Sequence, residues 1–376
     1  MKRLIALLLS IFLTAPFMPA GAEVEDWVAD INGISAKVLE WCMQEHNTEM
    51  TLTLPASATQ GMSDSEIWSA IYDSLDEYCS DDYKVNRSSA GDGGMKLRIR
   101  NIALRPGLLM AEAYWNGKTD RLNAEEKRCL RELESIVDGF VRKTGWNTLA
   151  TELAIYDFIC DRVEYRTYPS GDSRHKQCTS AANAYLYGWG NCQAYADLFF
   201  LMTMISGFDS GFVSGQGNGG AHLWNTISLG DDLLMVDVTY GDSPRENYPG
   251  PHHYYFNFGM DRKDRHTWSP QVMNPNYLAG RTNDKYSYYA NKGPQAGGVF
   301  KKLSDAAKFC VKQVKNGKKY VEFLILGKKV PLDDVHAAIK KALGRTQGQW
   351  YAYCDYMDGN TLIRFNWQEY KKRKVR

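Results

Sequence analysis

The chain of 376 residues lacks the patterns that mark several common functional classes. Its eight cysteines include no C-x-x-C pair, which argues against a zinc knuckle or a thioredoxin-type redox site. Basic and acidic residues nearly cancel, 45 against 44, so neither nucleic acid nor a strongly charged substrate is indicated as a partner. No long linker rich in proline or serine interrupts the chain. The sequence therefore predicts no metal, no cofactor and no nucleic-acid partner.

Beyond the first residues, the chain has no apolar run long enough to cross a bilayer. Two basic residues precede an apolar stretch at 4–13, and small residues follow at positions 20–22. This order is typical of an export signal, for which we predict cleavage after Ala22. A membrane anchor is the alternative, but the stretch is shorter than the roughly 20 residues of a span. We expect a secreted or periplasmic protein with no stable membrane span after signal removal.

Patterns of alternating helix and strand flank the middle of the chain. An N-terminal α/β module is predicted at residues 23–120, with a helix, a strand, a helix, a polar loop and a strand at 26–43, 51–54, 63–78, 88–94 and 95–104. Ser63 and Glu66 have the spacing of a capping box that opens the second helix.

A C-terminal α/β module is predicted at residues 291–376, with a strand, a helix and two hairpin strands at 320–326, 331–343, 350–356 and 361–367. Its basic tail at residues 371–376 is typical of a solvated terminus. An internal duplication of the two modules stays open, because the similarity is one of pattern only. Small modules have marginal cores, so we expect both to pack on each other or on the middle of the chain.

The middle of the chain, residues 121–290, contains a cysteine at the predicted start of an apolar helix. Residues 188–192 form a glycine-containing turn that leads into this helix, which runs to Ile205. Unpaired N–H groups and the helix dipole favour a negative charge at that end, and the thiolate is the nucleophilic form of cysteine. Cys192 is therefore a candidate nucleophile, although most buried cysteines only fill space.

A histidine and an aspartate are predicted on the strands that follow. After a loop at 215–220, strands at 221–229 and 233–239 flank a two-residue turn at 230–231. This register makes His222 and Asp237 diagonal neighbours on one face, about 7–8 Å apart. A buried aspartate is costly without a partner, and a histidine supplies one. Cys192, His222 and Asp237 then form a nucleophile, a base and an orienting group.

Three ordered motifs resemble those of the bacterial transglutaminase-like superfamily. They contain the cysteine, the histidine and the aspartate, at residues 190–196 (GNCQAYA), 221–225 (AHLWN) and 236–239 (VDVT). Two peripheral segments are also similar, an entry helix at 154–159 and a tail that ends in His266-Thr267-Trp268. The resemblance covers residues 124–289.

The resemblance implies an α+β fold: a papain- or transglutaminase-like core, with the cysteine helix packed on an antiparallel sheet, here flanked by the two small modules. It also implies a cysteine enzyme that acts on peptide or protein amides, including those of a cell envelope, through a thioester. Transfer to an amine and hydrolysis stay open, as does the oligomeric state. The second oxyanion donor is open as well, with Tyr185, Tyr187 and Trp189 as candidates beside the Cys192 N–H. The alternative is a non-catalytic module for cell-surface binding or protein assembly.

Two adjacent histidines in the middle of the chain are weaker candidates. His252 and His253 are potential metal ligands, but adjacent residues of an extended chain point in opposite directions. No third ligand lies near them in the sequence. We therefore do not assign a metal site to this pair.

Overall fold

The protein is described by a computed structural model that covers most of the chain. The described residues are 25–31, 33–43, 49–80, 83–169, 171–244, 248, 250–259, 266–268, 286–289, 297–346, 348–357 and 359–368. The predicted export signal and the basic tail lie outside them. Within this part of the chain, none of the helices is both long and apolar enough to traverse a bilayer.

A four-stranded sheet, the N-terminal sheet, opens the structure with strand order β1-β2-β4-β3. Its elements in chain order are β1 (Glu25–Trp27), α1 (Gly33–Met43), β2 (Glu49–Leu54), α2 (Asp64–Asp76), β3 (Lys84–Ser89) and β4 (Met95–Arg100). β1 lies parallel to β2, and β4 is antiparallel to β2 and β3. Apolar residues of both helices share one core with alternate residues of β2 and β4.

The structure corrects three sequence predictions in this region. The helix predicted from residue 26 begins at Gly33, because residues 25–27 pair with β2 instead. The strand predicted to residue 104 ends at Arg100, since Asn101 adopts a positive φ of 58°. β3 was missed because this edge strand is polar and almost fully exposed. The predicted capping box of α2 is confirmed.

The middle of the chain contains a bundle of helices and a second sheet. Its elements are α3 (Pro106–Asn116), α4 (Ala124–Thr144), α5 (Thr148–Arg162), β5 (Glu164–Tyr165), α6 (His175–Cys178), α7 (Ala181–Tyr187), β6 (Trp189–Gly190), α8 (Cys192–Ile205), β7 (Ser210–Gly217), β8 (Gly220–Leu229), β9 (Asp232–Val236), α9 (Val238–Gly241) and β10 (His266–Thr267). The sheet is antiparallel, in the order β10-β7-β8-β9. Helix α8 packs on this sheet and has 12 of its 14 residues buried.

The C-terminal sheet repeats the architecture of the N-terminal sheet. Its elements are β11 (Val299–Phe300), α10 (Leu303–Lys315), β12 (Tyr320–Ile325), α11 (Leu332–Leu343), β13 (Gln349–Met357) and β14 (Asn360–Gln368). The strand order is β11-β12-β14-β13, with β11 parallel to β12 and β14 antiparallel to β12 and β13. Both sheets thus share one strand order, one pattern of pairing and two helices at the same points of the chain. This common topology supports an internal duplication.

Buried ion pairs join both flanking sheets to the middle of the chain. On the N-terminal side, the guanidinium of Arg105, which directly precedes α3, donates to the Asp76 carbonyl at the end of α2 and to the Asp197 carboxylate of α8, both at 2.8 Å. The side chains of Arg105 and Asp197 are almost fully buried. On the C-terminal side, His253 lies between two carboxylates. Its Nδ1 is 3.0 Å from Glu322 of β12, and its Nε2 is 2.7 Å from Asp157 of α5.

The buried pair of His253 and Glu322 makes stability depend on pH. Burial alone lowers the pKa of His253, but Asp157 and Glu322 outweigh it and raise that pKa to about 9. Because the folded pKa exceeds the ordinary value of about 6.5, the stabilisation is complete below about pH 6.5 and is lost as the pH rises through 9. Glu322 itself is held below its usual pKa by His253, despite its burial.

The Glu322→Gln variant tests this contact. Removing one partner of a buried pair costs on the order of 3 kcal/mol, so we expect that loss in the free energy of unfolding at pH 6. The difference in stability between pH 6 and pH 9.5 should also shrink. Urea unfolding at both pH values measures these quantities. Glu112→Gln, which removes a more exposed partner of Arg121, is the control. Equal stability and equal pH dependence of Glu322→Gln and the unmodified protein would contradict the assignment.

Candidate active site

Cys192 is the first residue of helix α8, as the sequence predicts. The Asn191 side chain caps this helix and accepts hydrogen bonds from the N–H groups of Gln193 at 3.0 Å and Ala194 at 3.4 Å. The Asn191 N–H is in turn bound to the Cys178 carbonyl at 2.7 Å. The thiol thus lies at the positive end of the helix dipole. Cys192 is buried but still reaches solvent, with 8% of the residue exposed.

A tight hairpin presents the histidine to this helix. The prediction of a loop at residues 215–220 is wrong, because β7 extends to Gly217 and β8 begins at Gly220. Only Asn218 and Gly219 form the turn, with positive φ angles of 52° and 82°. This is the pattern of a type I′ turn, which Asn-Gly favours.

Gly217 leaves room for the histidine ring. A Cβ built at this position would lie 2.3 Å from the Tyr240 hydroxyl and 2.8 Å from Cδ2 of His222. A real Cβ would therefore displace one of these rings. Gly217 therefore permits close packing around the site, whereas Gly219 serves the turn.

His222 connects the thiol to the carboxylate. Its Nε2 lies 2.8 Å from Oδ2 of Asp237, and the ring is close enough to Cys192 for the thiol to raise its pKa. Since Nε2 is taken by Asp237, Nδ1 is the ring nitrogen left for the thiol. Tyr240 stacks on the imidazole at 4.6 Å and 17°, and Trp224 stacks at 5.6 Å. The ring is thus held by its hydrogen bond to Asp237 and by aromatic contacts.

Asp237 is placed differently from the prediction. The register Leu229–Asp232 is confirmed, but the return strand predicted to residue 239 ends at Val236. Asp237 instead caps the short helix α9: its Oδ1 accepts the N–H of Tyr240 at 3.0 Å, while its own N–H binds the Tyr255 carbonyl. Because Asp237 lies at the start of α9 and not within a strand, its Oδ2 can point at His222.

A second histidine, which sequence reasoning did not assign to the site, binds the same oxygen. Nε2 of His266 lies 2.8 Å from Oδ2 of Asp237, and the His266 side chain is fully buried. Strand β10 places it there by pairing His266 with Gly217 of β7. The sequence offered His266 only as part of the tail motif. A strand of two residues has no periodicity from which its pairing or its contact with Asp237 could be predicted.

The electrostatics of the site favour a charged imidazole. Burial alone would lower the pKa of His222, but Asp237 and Cys192 outweigh it and raise that pKa to about 10. Burial likewise acts to raise the pKa of Asp237, yet the two histidines hold it well below its usual range. At neutral pH the carboxylate therefore carries its charge and stabilises an imidazolium beside Cys192.

Metal ligation has one candidate group within the described ranges, formed by His222, Asp237 and His266. Their ligand atoms lie within 4.8 Å of one another. Both Nε2 atoms, however, point at a single oxygen at hydrogen-bond distance. A metal ion there would withdraw His222 from the thiol. The histidines at positions 252 and 253 have other contacts: His253 binds two carboxylates, and Nδ1 of His252 accepts the N–H of Tyr254 at 3.3 Å.

Of the three oxyanion candidates, the two tyrosines are committed to other contacts. The hydroxyl of Tyr185 donates to Glu132 at 2.9 Å, and that of Tyr187 binds Glu125. Trp189 packs edge-on against Tyr168. The Asn191 carbonyl and side chain take the other N–H groups of the first turn of α8. The N–H of Cys192 has no recorded acceptor in the described part of the chain.

A polar cavity of about 230 Å³ adjoins Tyr240, on which His222 stacks. The C-terminal sheet contributes Asp355, Met357 and Arg364 to its wall. Arg364 also donates from Nη1 to the Ser243 carbonyl at 2.5 Å, so its guanidinium spans the boundary between this sheet and the middle of the chain. The C-terminal sheet therefore lies beside the candidate site.

Comparison with known families identifies the middle of the chain. Residues 135–238 match the model of the transglutaminase-like superfamily. The chain contains a transglutaminase-like domain. The matched range begins within α4 and ends just after Asp237, so it includes Cys192, His222 and Asp237. The family resemblance and the α+β fold class expected from the sequence are confirmed.

Solved structures give only remote matches. A candidate cysteine protease from Cytophaga hutchinsonii is 14% identical, with 43% of this chain and 68% of that chain covered and a TM-score of 0.26. A TGase is 7% identical, with 53% of each chain covered and a TM-score of 0.28. The ethylmercury-bound periplasmic domain of TgpA from Pseudomonas aeruginosa is 14% identical, with 44% and 68% covered and a TM-score of 0.25. No curated protein matches the chain significantly.

The Gly217→Ala variant tests the packing of the transglutaminase-like site. Because the added Cβ collides with His222 and Tyr240, the imidazole should move away from the thiol. We expect alkylation of Cys192 by iodoacetamide at pH 6, followed by peptide mapping, to slow by about tenfold or more. Gly139→Ala is the control, because nothing lies within 4 Å of its Cβ position. An unchanged alkylation rate in Gly217→Ala would show that the ring does not depend on this glycine.

Proposed function

We propose that the protein is a cysteine acyl-transfer enzyme that acts on peptide or protein amides through a thioester on Cys192. The observation that carries the proposal is the position of His222, whose Nε2 lies 2.8 Å from Oδ2 of Asp237 and whose pKa is raised by Asp237 and by the neighbouring Cys192. His222 is the acid and base, and Asp237 orients its ring. The match of residues 135–238 to the transglutaminase-like superfamily model supports the same chemistry.

In the first step, the Cys192 thiolate attacks the carbonyl carbon of the amide. A carbon–sulfur bond forms, and the carbonyl electrons move onto oxygen. The N–H of Cys192 is the proposed donor to that oxyanion, because it stands at a helix N-terminus. When the carbon–nitrogen bond breaks, His222 gives its proton to the leaving nitrogen. The result is a thioester and a neutral imidazole.

In the second step, water or an amine attacks the thioester carbon. His222 takes a proton from the attacking group, and Cys192 leaves as a thiolate paired with the imidazolium. Water yields a carboxylic acid, whereas an amine yields a new amide. The choice depends on how well the site excludes water, so a transglutaminase needs a dry acceptor site.

The proposed setting is outside the cytoplasm. The export signal predicted at residues 1–22 would deliver the enzyme to the periplasm or the medium, where a cell-envelope protein is an accessible substrate. We further propose that the N- and C-terminal sheets are structural units of their own, at residues 23–120 and 291–376. Through the polar cavity beside Tyr240, the C-terminal unit would help to position substrate.

The reaction is tested by incubating the reduced protein with a glutamine-containing protein, with and without an isotopically labelled amine. Mass spectrometry then follows amine incorporation, deamidation and ammonia release. We expect product in at least one channel, and complete loss of product in Cys192→Ala. Asp237→Asn should lower turnover by roughly 100-fold or more, yet by less than the about 10⁴-fold seen in a serine triad, because a preformed thiolate needs less help from the base.

Asp209→Asn is the matched control, because this aspartate is exposed and its carboxylate accepts a surface hydrogen bond from the Ser228 hydroxyl at 3.0 Å. Its turnover should equal that of the unmodified protein. Near-normal turnover in Asp237→Asn would remove Asp237 from the mechanism. Absence of both products across a panel of glutamine-containing proteins would favour a non-catalytic module for surface binding or protein assembly.

A further inference from the structure

The Asp237 carboxylate has more hydrogen-bond donors than a catalytic triad requires. Oδ1 accepts the N–H of Tyr240 at 3.0 Å. Oδ2 accepts Nε2 of both His222 and His266, each at 2.8 Å. A carboxylate oxygen offers two lone pairs in the plane of the group, so the two imidazoles fill both acceptor directions of Oδ2. The oxygen that faces His222 is therefore saturated by donors.

His266 has surroundings that fix its orientation. Its ring contacts those of Trp224 at 4.8 Å, Tyr240 at 5.0 Å and Tyr255 at 5.3 Å. Within the described residues, its Nδ1 is buried without a hydrogen-bond partner. A proton on that Nδ1 would be a buried donor with no acceptor, which is costly. Nε2 is thus the ring nitrogen that carries the proton, and it donates to Asp237.

We propose that His266 is a positioning residue for the acyl-transfer reaction, because its Nε2–H occupies the second lone pair of Asp237 Oδ2. With both lone pairs taken, Oδ2 has no room for a proton, so this oxygen acts only as an acceptor towards His222. His222 must then keep its own proton on Nε2, which leaves Nδ1 to exchange a proton with Cys192. The inference rests on the proposed function, in which His222 serves as the acid and base.

Loss of the His266 donor would affect Cys192, whereas loss of a residue with a purely structural role would not. Without the Nε2–H of His266, Asp237 can rotate away from His222 or accept a proton. The imidazolium would lose its orienting carboxylate, and the thiolate beside it would become less stable. The described titrating groups around Asp237 include His222, Cys192 and His266, together with the phenols of Tyr240 and Tyr255. The phenols of Tyr156 and Tyr165 and the thiol of Cys160 also interact with its charge.

The test measures the rate of Cys192 carboxamidomethylation by iodoacetamide from pH 4 to 10, with peptide mapping, in two near-isosteric variants. His266→Met fills the space without a donor, whereas His266→Gln returns an amide N–H near the position of Nε2. We expect the inflection of the Met variant to move about one pH unit or more towards that of an ordinary thiol, about 8.5. The Gln variant should recover most of this shift.

His336→Met is the matched control, since His336 also packs on a tryptophan and has a ring nitrogen without a recorded partner among the described residues. Its inflection should match that of the unmodified protein. An unchanged inflection in His266→Met, whatever its melting temperature, would overturn the positioning role. Equal shifts in the Met and Gln variants would also overturn it, because packing alone would then explain both. An ordinary thiol inflection in the unmodified protein would instead contradict the proposed function.

A second measurement does not require the variants to fold. Nitrogen-15 NMR of the imidazole rings in the unmodified protein reports which nitrogen of His266 carries the proton. We expect the Nε2–H tautomer, with the His266 and His222 protons both shifted by their hydrogen bonds to Asp237. A proton on Nδ1 of His266 with Nε2 unprotonated would exclude donation to Asp237 and overturn the proposal.

Discussion

A negative charge buried at Asp237 is the constraint on which the site depends. A carboxylate removed from water is strongly disfavoured unless donors replace its hydration. Here the chain supplies them from three separate places: the first turn of α9, the middle strand β8 and the short edge strand β10. These three hydrogen bonds join the elements at one carboxylate. The same charge makes an imidazolium favourable next to the thiol.

Buried charges recur where the flanking sheets meet the transglutaminase-like domain. Arg105 pairs with Asp197 inside the cysteine helix, and Glu322 pairs with His253 near the end of the domain. Replacing such a pair by apolar residues is often neutral or stabilising, but removing one partner is costly because it leaves an unpaired buried charge. The flanking sheets are therefore held in fixed register on the domain that contains Cys192.

The sequence revealed those features that depend on local patterns. The helix at Cys192 and the turn at residues 230–231 follow from apolar periodicity and from glycine. The polar edge strand β3 and the two-residue strand β10 have no such pattern, because their pairing is decided by distant residues. Asp237 does not continue the predicted strand, because its side chain caps helix α9 in place of one more strand pair with β8. The contact between His266 and Asp237 could not be predicted from the sequence, because a hydrogen bond between residues 29 positions apart has no local sequence pattern.

The central claim is that Cys192 forms a covalent thioester with an amide substrate. Acid quenching of the reaction with a glutamine-containing protein within milliseconds to seconds, followed by protease digestion and mass spectrometry, tests it directly. The account predicts an acyl adduct on the peptide that contains Cys192. Neutral hydroxylamine should release this adduct, and it should be absent in Cys192→Ala. Turnover without any adduct on Cys192, or an adduct on another cysteine only, would contradict the account.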